Sequence, residues 1–417
     1  MTQPDASSHP DPGVSAIPAP ADPQPAPYAP LPPYAELPPY GQLPPYGQLP
    51  AYGQLPAHSQ LPTYGQSLPH DQQPVYPDFV QPGPIPGMNP SWGPPALPIT
   101  PSTLPVVPRA YHQFYRAPAN PWWKLLLISL AVIAAVGLGW LLLGIIIMIP
   151  FVFSSLGSGE FTVDAVTAWM STPTGFLVNN LMIIVVIPLA YLAHRIAFRQ
   201  RFGYLSSIQG RFRWRLFGRF VLLALPVFAV MTGVSIITDG LPDLSWTSHS
   251  LSMILIIVLT TPLQSAGEEI CMRGLLARLF GSHIGPPWVG WVVATVVSSA
   301  AFMALHGAGD PWLNTFYVCF AVIASLLVWR TGGLEAAIAM HAVNNVFSLA
   351  FVPFQDMSGI FDRQAGTGSA SGLIQVGFLV VVAALFWWQA RRLSLPTMTA
   401  PGAPAEAAYV PRHGAVN

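Results

Sequence analysis

From about Pro121 onward the chain is a succession of apolar runs separated by short polar stretches. Eight runs stand out: Trp123–Pro150, Gly175–His194, Leu216–Ile237, Ser250–Leu276, Pro287–Leu305, Trp312–Trp329, Leu334–Phe354 and Leu373–Ala390. Runs of roughly 20 residues match the thickness of a bilayer's hydrocarbon core. Backbone groups have no water partner in lipid, so each run is predicted to be a helix. The third and fourth are separated by the polar stretch TDGLPDLSWTSHS, and Pro188 and Pro226 are positioned to kink the second and third. The fourth is expected to stay helical to about Phe280, its amphipathic end EEICMRGLLARLF reaching the interface. The fold class that follows is all-α, a polytopic membrane bundle of about eight transmembrane helices over residues 121–395.

Residues 1–120 have no such periodicity. They are rich in Pro, Gln and Tyr and carry a hexad that recurs as LPPYAE from Leu31, LPPYGQ from Leu37 and Leu43, LPAYGQ from Leu49, LPAHSQ from Leu55 and LPTYGQ from Leu61. Such sequence buries too little apolar surface to offset chain entropy, so a disordered tail with polyproline II character is expected. It reads either as a docking or self-association segment for a tail-binding protein or as an inert extension. Residues 396–417 are expected to be a second disordered tail.

Composition supports the membrane reading. The 417 residues are 52% hydrophobic and only 8% charged, where soluble proteins carry about a quarter. A net charge of zero gives no bulk attraction to nucleic acid. Lys124 is the only lysine, a bias that suggests a GC-rich coding sequence. Cys271 and Cys319 fall in predicted spans, so a disulfide framework is not indicated. The N-terminus shows no signal peptide, so the first span is expected to act as its own insertion signal.

Charge also sets an orientation. Arg195, Arg199, Arg201, Arg211, Arg213, Arg215 and Arg219 follow the second run, Arg278 the fourth, Arg330 the sixth, and Arg391 and Arg392 the eighth. The alternate connections carry Glu160 and Asp164, Asp239 and Asp243, Asp310, and Asp356 and Asp362 with Arg363. By the positive-inside rule both termini are expected to be cytoplasmic, and the membrane is expected to be a bacterial plasma membrane. The Arg-rich stretch 195–219 has a second reading, a patch for anionic lipid or substrate.

Three polar clusters interrupt the apolar runs: Glu268 and Glu269 with Arg273, Phe302 with His306, and His341 with Asn345. Charged side chains at membrane depth cost roughly 2.5–3.5 kcal/mol each, so they mark function. Glu269 and Arg273 are one helical turn apart and predict an ion pair, which leaves Glu268 about 100° away for another partner. A Glu beside a His is a water-activating pair. His341 and Asn345 share a face and can donate two hydrogen bonds to one developing oxyanion. Together these are the parts for amide hydrolysis without a covalent intermediate. Counting rise per residue, Glu268, His341 and Asn345 fall at one depth, roughly 12–18 Å from the cytoplasmic side, but His306 falls near roughly 30 Å.

The motifs EEICMR, FMALH and HAVNN, with Glu268, Glu269, Arg273, Phe302, His306, His341 and Asn345, resemble the EExxxR, FxxxH and HxxxN motifs of the CPBP family. That family comprises type II CAAX prenyl endopeptidases (the Rce1 type) and Abi or bacteriocin-processing proteins, and the resemblance spans about residues 120–395. It implies an intramembrane peptidase in which Glu268 and His306 activate water, His341 and Asn345 form the oxyanion site, and Glu269 is held by Arg273 in support. The implied partners are a peptide or lipidated peptide substrate in the membrane and the lipid bilayer, with no cofactor required. Two alternatives stand beside it: a zinc-dependent protease with Glu268, His306 and His341 as ligands, and a non-catalytic membrane scaffold or bacteriocin immunity protein. A transporter is less favoured, because the two halves show no matching interrupted helices.

Overall fold

A computed structural model describes residues 100–156, 162–358 and 360–404. The hexad repeats and the far C-terminus therefore lie outside the described residues. Among the described residues eight helices are long and apolar enough to cross a membrane: α1 Trp122–Phe153, α2 Pro173–Phe198, α3 Trp214–Asp239, α4 Ser250–Gly281, α5 Pro287–His306, α6 Pro311–Thr331, α7 Glu335–Phe354 and α8 Gly372–Arg392. The chain is thus a multi-pass membrane protein, its spans matching the eight apolar runs.

Local chemistry fixes the ends. Pro173, Pro287 and Pro311 open α2, α5 and α6, where a missing N–H costs nothing. Asp310 caps α6 by accepting from the amides of Trp312 and Leu313 at 2.8 and 3.0 Å. Gly307 ends α5 in the left-handed region at φ 61°, directly after His306. Pro188 cannot donate to the Ile184 carbonyl, and α2 is interrupted there at Val185. Pro226, by contrast, sits inside an unbroken α3.

The bundle is organised around α7, which packs against both α3 and α4. Every residue from Glu335 to Asn344 is buried, on all sides of the helix. Ala336, Ala337, Ala339 and Ala342 leave room for neighbouring backbones to approach. The outer helix α1 presents Leu127, Leu130, Leu138, Leu141 and Ile145 outward, as lipid contact requires. Helices α2 and α4 meet at Gly267, where a Cβ would stand 2.7 Å from the Ile183 carbonyl oxygen. That neighbour is backbone and cannot swing aside. Gly267→Ala is therefore expected to destabilise by about 1–3 kcal/mol and to displace the adjacent Glu268; thermal unfolding in detergent would check it.

Two boundaries differ from expectation. Residues 100–120, assigned above to the disordered tail, are packed, with Tyr111, Phe114 and Tyr115 buried. The cause is Arg278, a guanidinium buried at the end of α4, which stacks 3.7 Å above the Tyr111 ring, with Phe114 and Tyr115 at 5.3 and 5.7 Å. Tyr115 in turn stacks on Phe198 at 3.6 Å, and Gln200 donates to the Thr103 and Phe114 carbonyls at 2.7 and 3.1 Å. Arg278 therefore organises this cap rather than facing water. The C-terminal tail also begins later than residue 396, because β1 Arg109–Ala110 pairs antiparallel with β2 Met398–Thr399.

This cap makes the fold sensitive to acid. Burial pushes the His112 imidazole down to about 4, and its Nε2–H donates to the Pro287 carbonyl at 2.9 Å. The folded state then binds fewer protons than the unfolded chain between the ordinary histidine value and about pH 4. Stability is full above about pH 6.5 and falls as pH drops through that window. His112→Gln, which can still donate to Pro287, should flatten the decline in melting temperature over that window.

Candidate active site

The seven predicted site residues come from three consecutively packed parts of the bundle, α4, α5 and α7. Helix α4 is π-helical over Ile270–Leu276, directly after the paired glutamates. Such wider turns cluster at functional sites. Here the wider turn begins between Glu269 and Arg273, whose side chains nonetheless meet at 3.0 Å. The predicted ion pair is present, and both partners are buried.

Glu269 also takes a second partner, which spacing does not reveal. The His341 Nδ1–H donates to the same Glu269 oxygen at 2.8 Å. Arg273, Glu269 and His341 thus form a buried relay across α4 and α7. A carboxylate on Nδ1 fixes the tautomer and the ring plane. Nε2 is then the free end of the imidazole, and it stands 3.7 Å from Glu268 Oε2.

Glu268 points elsewhere, as the 100° offset requires. Its Oε1 accepts from Gln264 one turn earlier, while Oε2 has no hydrogen-bond partner among the described residues. Asn345 donates to Ser265 Oγ and Gln264 Oε1 at 3.3 and 3.5 Å. Asn344 donates to Asn345 Oδ1 at 3.0 Å, and Gln375 donates to Asn344 Oδ1 at 2.9 Å. Gln264, Asn344 and Gln375 were not singled out from sequence. Gln264 had a readable signal, because it lies four residues before Glu268 and so on the same helical face.

His306 does join the group, despite its apparent depth. A helical Cα–Cβ bond tilts toward the N-terminus, which carries the imidazole back over the preceding turn. Its Nδ1–H donates to the Phe302 carbonyl at 2.7 Å, and its ring lies 4.5 Å from the Phe302 ring. Nε2 keeps a lone pair. Phe302 also bridges to the relay, under the Arg273 guanidinium at 4.5 Å and edge-on to His341 at 6.0 Å. Tyr317 of α6, another residue missed from sequence, stacks on His306 at 4.0 Å.

Glu268, Phe302, His306, His341 and Asn345 line one cavity of about 1350 Å³. Glu269 and Arg273 stand behind its wall. The cavity reaches from the end of the bundle that holds the α1–α2 and α7–α8 connections, through Trp169, Ile360 and Arg363, down to Glu268. Its wall continues past Glu268 to Leu275, Leu276 and Leu279. The arrangement offers an unengaged carboxylate oxygen, two imidazoles with free Nε2 atoms and an amide donor, all facing one apolar chamber. Among the described residues no three His, Cys, Asp or Glu side chains converge closely enough to hold a metal ion. The donor set Glu268, His306 and His341 is therefore not assembled as a metal site in this arrangement.

Comparison with known proteins agrees with the motifs. The uncharacterized protein YyaK of Bacillus subtilis (strain 168) is 22% identical over 246 residues, which cover 56% of this chain and 79% of that protein. No solved structure matches the chain. Residues 247–347 match the family described as type II CAAX prenyl endopeptidase Rce1-like. The matched stretch holds all seven predicted site residues.

Proposed function

We propose that this protein is an intramembrane endopeptidase that hydrolyses a peptide bond in a membrane-associated or C-terminal peptide. The observation that carries the reading is Glu268 Oε2: it has no hydrogen-bond partner among the described residues and belongs to a carboxylate that lines a cavity shared with His306 and His341. A water held between Glu268 and His306 loses its proton to one of them as its oxygen attacks the scissile carbonyl carbon. The electron pair of the C=O bond moves to oxygen. Asn345 donates to that oxyanion, beside the Nε2 end of His341, whose ring Glu269 orients through Nδ1. The C–N bond then breaks as the stored proton passes to the leaving nitrogen. Glu269 and Arg273 hold His341 in register and do not touch the substrate.

Basic residues on the cap side, including Arg195, Arg211 and Arg391, support cytoplasmic termini, and the membrane is proposed to be a bacterial plasma membrane. On that orientation the cavity's loop-lined end faces away from the cytoplasm. The apolar chamber suits a lipidated or otherwise membrane-held peptide, and the hexad-repeat tail is proposed to dock a separate protein.

The test is hydrolysis of a panel of membrane peptides, with and without a prenyl group, by the full-length protein in liposomes. Cleavage that survives exhaustive chelation supports water activation by side chains alone. Cleavage lost to chelator and restored by one metal would replace that step with a metal-dependent one. No cleavage of any peptide, together with a harmless Glu268→Ala in cells, would leave a scaffold or immunity protein.

A further inference from the structure

Arg363 is a cation on the wall of the same cavity, contributed by the α7–α8 connection. No carboxylate is paired with it: the ion pairs among the described residues are Arg213–Glu335, Arg273–Glu269 and those of His341 with Glu268 and Glu269. The nearby acids are committed to backbone amides instead. Asp310 accepts from Trp312, Leu313 and Gly366, and Asp362 accepts from Gln364. Among the described residues Arg363 makes one side-chain hydrogen bond, from Nε to the neutral Tyr317 hydroxyl at 3.2 Å. The two Nη atoms remain as a donor fork with a full positive charge. Such a fork matches the two oxygens of a carboxylate.

The fork is also held in place. The Arg363 carbonyl accepts from the Gly309 amide at 2.8 Å, and Asp310 clamps Gly366 at 2.8 Å, so the segment is tied to the start of α6 on both sides. Tyr317 links the guanidinium to the reacting end of the cavity, since its ring stacks on His306 at 4.0 Å. An extended peptide rises about 3.3 Å per residue, so a bound chain with its scissile bond at Glu268 and His306 passes Arg363 within a few residues.

Resting on the peptidase reading above, we infer that Arg363 recognises a carboxylate of the bound peptide and sets the position of the scissile bond. That carboxylate is either the peptide's free C-terminus or an acidic side chain near it. Arg363 is half-buried at the loop-lined end of the cavity, and a carboxylate there gains two charge-assisted hydrogen bonds that a neutral group does not. The nearest carboxylate on the cavity wall, Glu268, is the catalytic base, so an anionic peptide group gives Arg363 a counter-ion and leaves the base free.

The experiment is binding of dodecanoylated tetrapeptides to full-length Glu268→Gln protein in nanodiscs. The probes are a free acid, its C-terminal amide, and amides carrying one Asp or the matching Asn. The expected result is at least tenfold tighter binding of a carboxylate peptide than of its neutral counterpart. Arg363→Gln in the same background should remove that preference while leaving amide binding unchanged. Preference for the free acid identifies the C-terminus as the group recognised; preference for Asp over Asn identifies a side chain. If Arg363→Gln does not fold, Arg363→Lys keeps the charge without the fork and should retain only part of the preference. The inference is overturned if no carboxylate peptide binds tighter than its neutral partner, or if the preference persists without Arg363. Since turnover is blocked, a carboxylate preference beside no cleavage by wild type and a harmless Glu268→Ala in cells would defeat the peptidase reading alone. Cleavage without the preference would defeat this inference alone.

Discussion

Glu268→Gln should cut peptidase turnover by about two to four orders of magnitude, the range a positioned general base contributes, and leave the fold intact. The replacement is isosteric, and its amide oxygen can still accept from Gln264, the one hydrogen bond Glu268 makes. What it loses is a basic oxygen at the position of Oε2, which makes no hydrogen bond among the described residues. Peptide affinity should therefore change little while kcat collapses, which single-turnover kinetics with a separate binding measurement would show. Glu269→Gln offers the contrast. Glu269 Oε1 holds both Arg273 and His341, at 3.0 and 2.8 Å, so its neutralisation strips a buried guanidinium of its counter-charge and frees the His341 ring. Both activity and stability should fall together. If Glu268→Gln destabilises as much as Glu269→Gln, or keeps its turnover, Glu268 is not the base.

The contrast between the two glutamates shows what spacing can and cannot reveal. The Glu269–Arg273 pair was legible because both partners lie on one helix, four residues apart. The bond from His341 to Glu269 joins residues 72 apart in sequence, and nothing local indicates which of two adjacent carboxylates an imidazole will meet. The eight spans were legible because an apolar run of about 20 residues has one low-cost conformation in lipid. The depth of His306 was misjudged because the count assumed that all spans start at one level, whereas α5 draws level with Gly281 of α4 only at Gly290; the backward tilt of the side chain covers about one further turn. Tyr317 and Gln375 are neutral residues inside apolar runs and cost little in a membrane, so no penalty marked them. The cap at Tyr111–Tyr115 was hidden by its Pro-rich neighbourhood: composition averages over a window, whereas three aromatic rings around one guanidinium order a segment of a few residues.

A second consequence of long-range pairing concerns stability. Arg213 was read from sequence as one of several topology-setting arginines, yet it forms a two-pronged pair with Glu335, through Nη2 at 2.6 Å and Nε at 2.9 Å. Its backbone amide donates to the same carboxylate at 2.9 Å, and Nη1 reaches the Thr331 carbonyl at 3.0 Å. Both side chains are buried. The pair ties the start of α3 to the first turn of α7, where a negative charge also complements the helix dipole. Glu335→Ala leaves a buried guanidinium with no counter-charge, and a loss of about 3–5 kcal/mol is expected. Arg211→Ala and Arg215→Ala, which remove exposed charges from the same segment, should each stay within about 0.5 kcal/mol. The decisive comparison is the double variant Arg213→Met with Glu335→Met. Removing both charges avoids the unpaired ion, so it should unfold at higher denaturant than Glu335→Ala alone. Because α7 also carries His341 and Asn345, Glu335→Ala should lose activity with temperature well before Glu268→Gln loses its fold, which places the stability of the catalytic helix in a contact far from its chemistry.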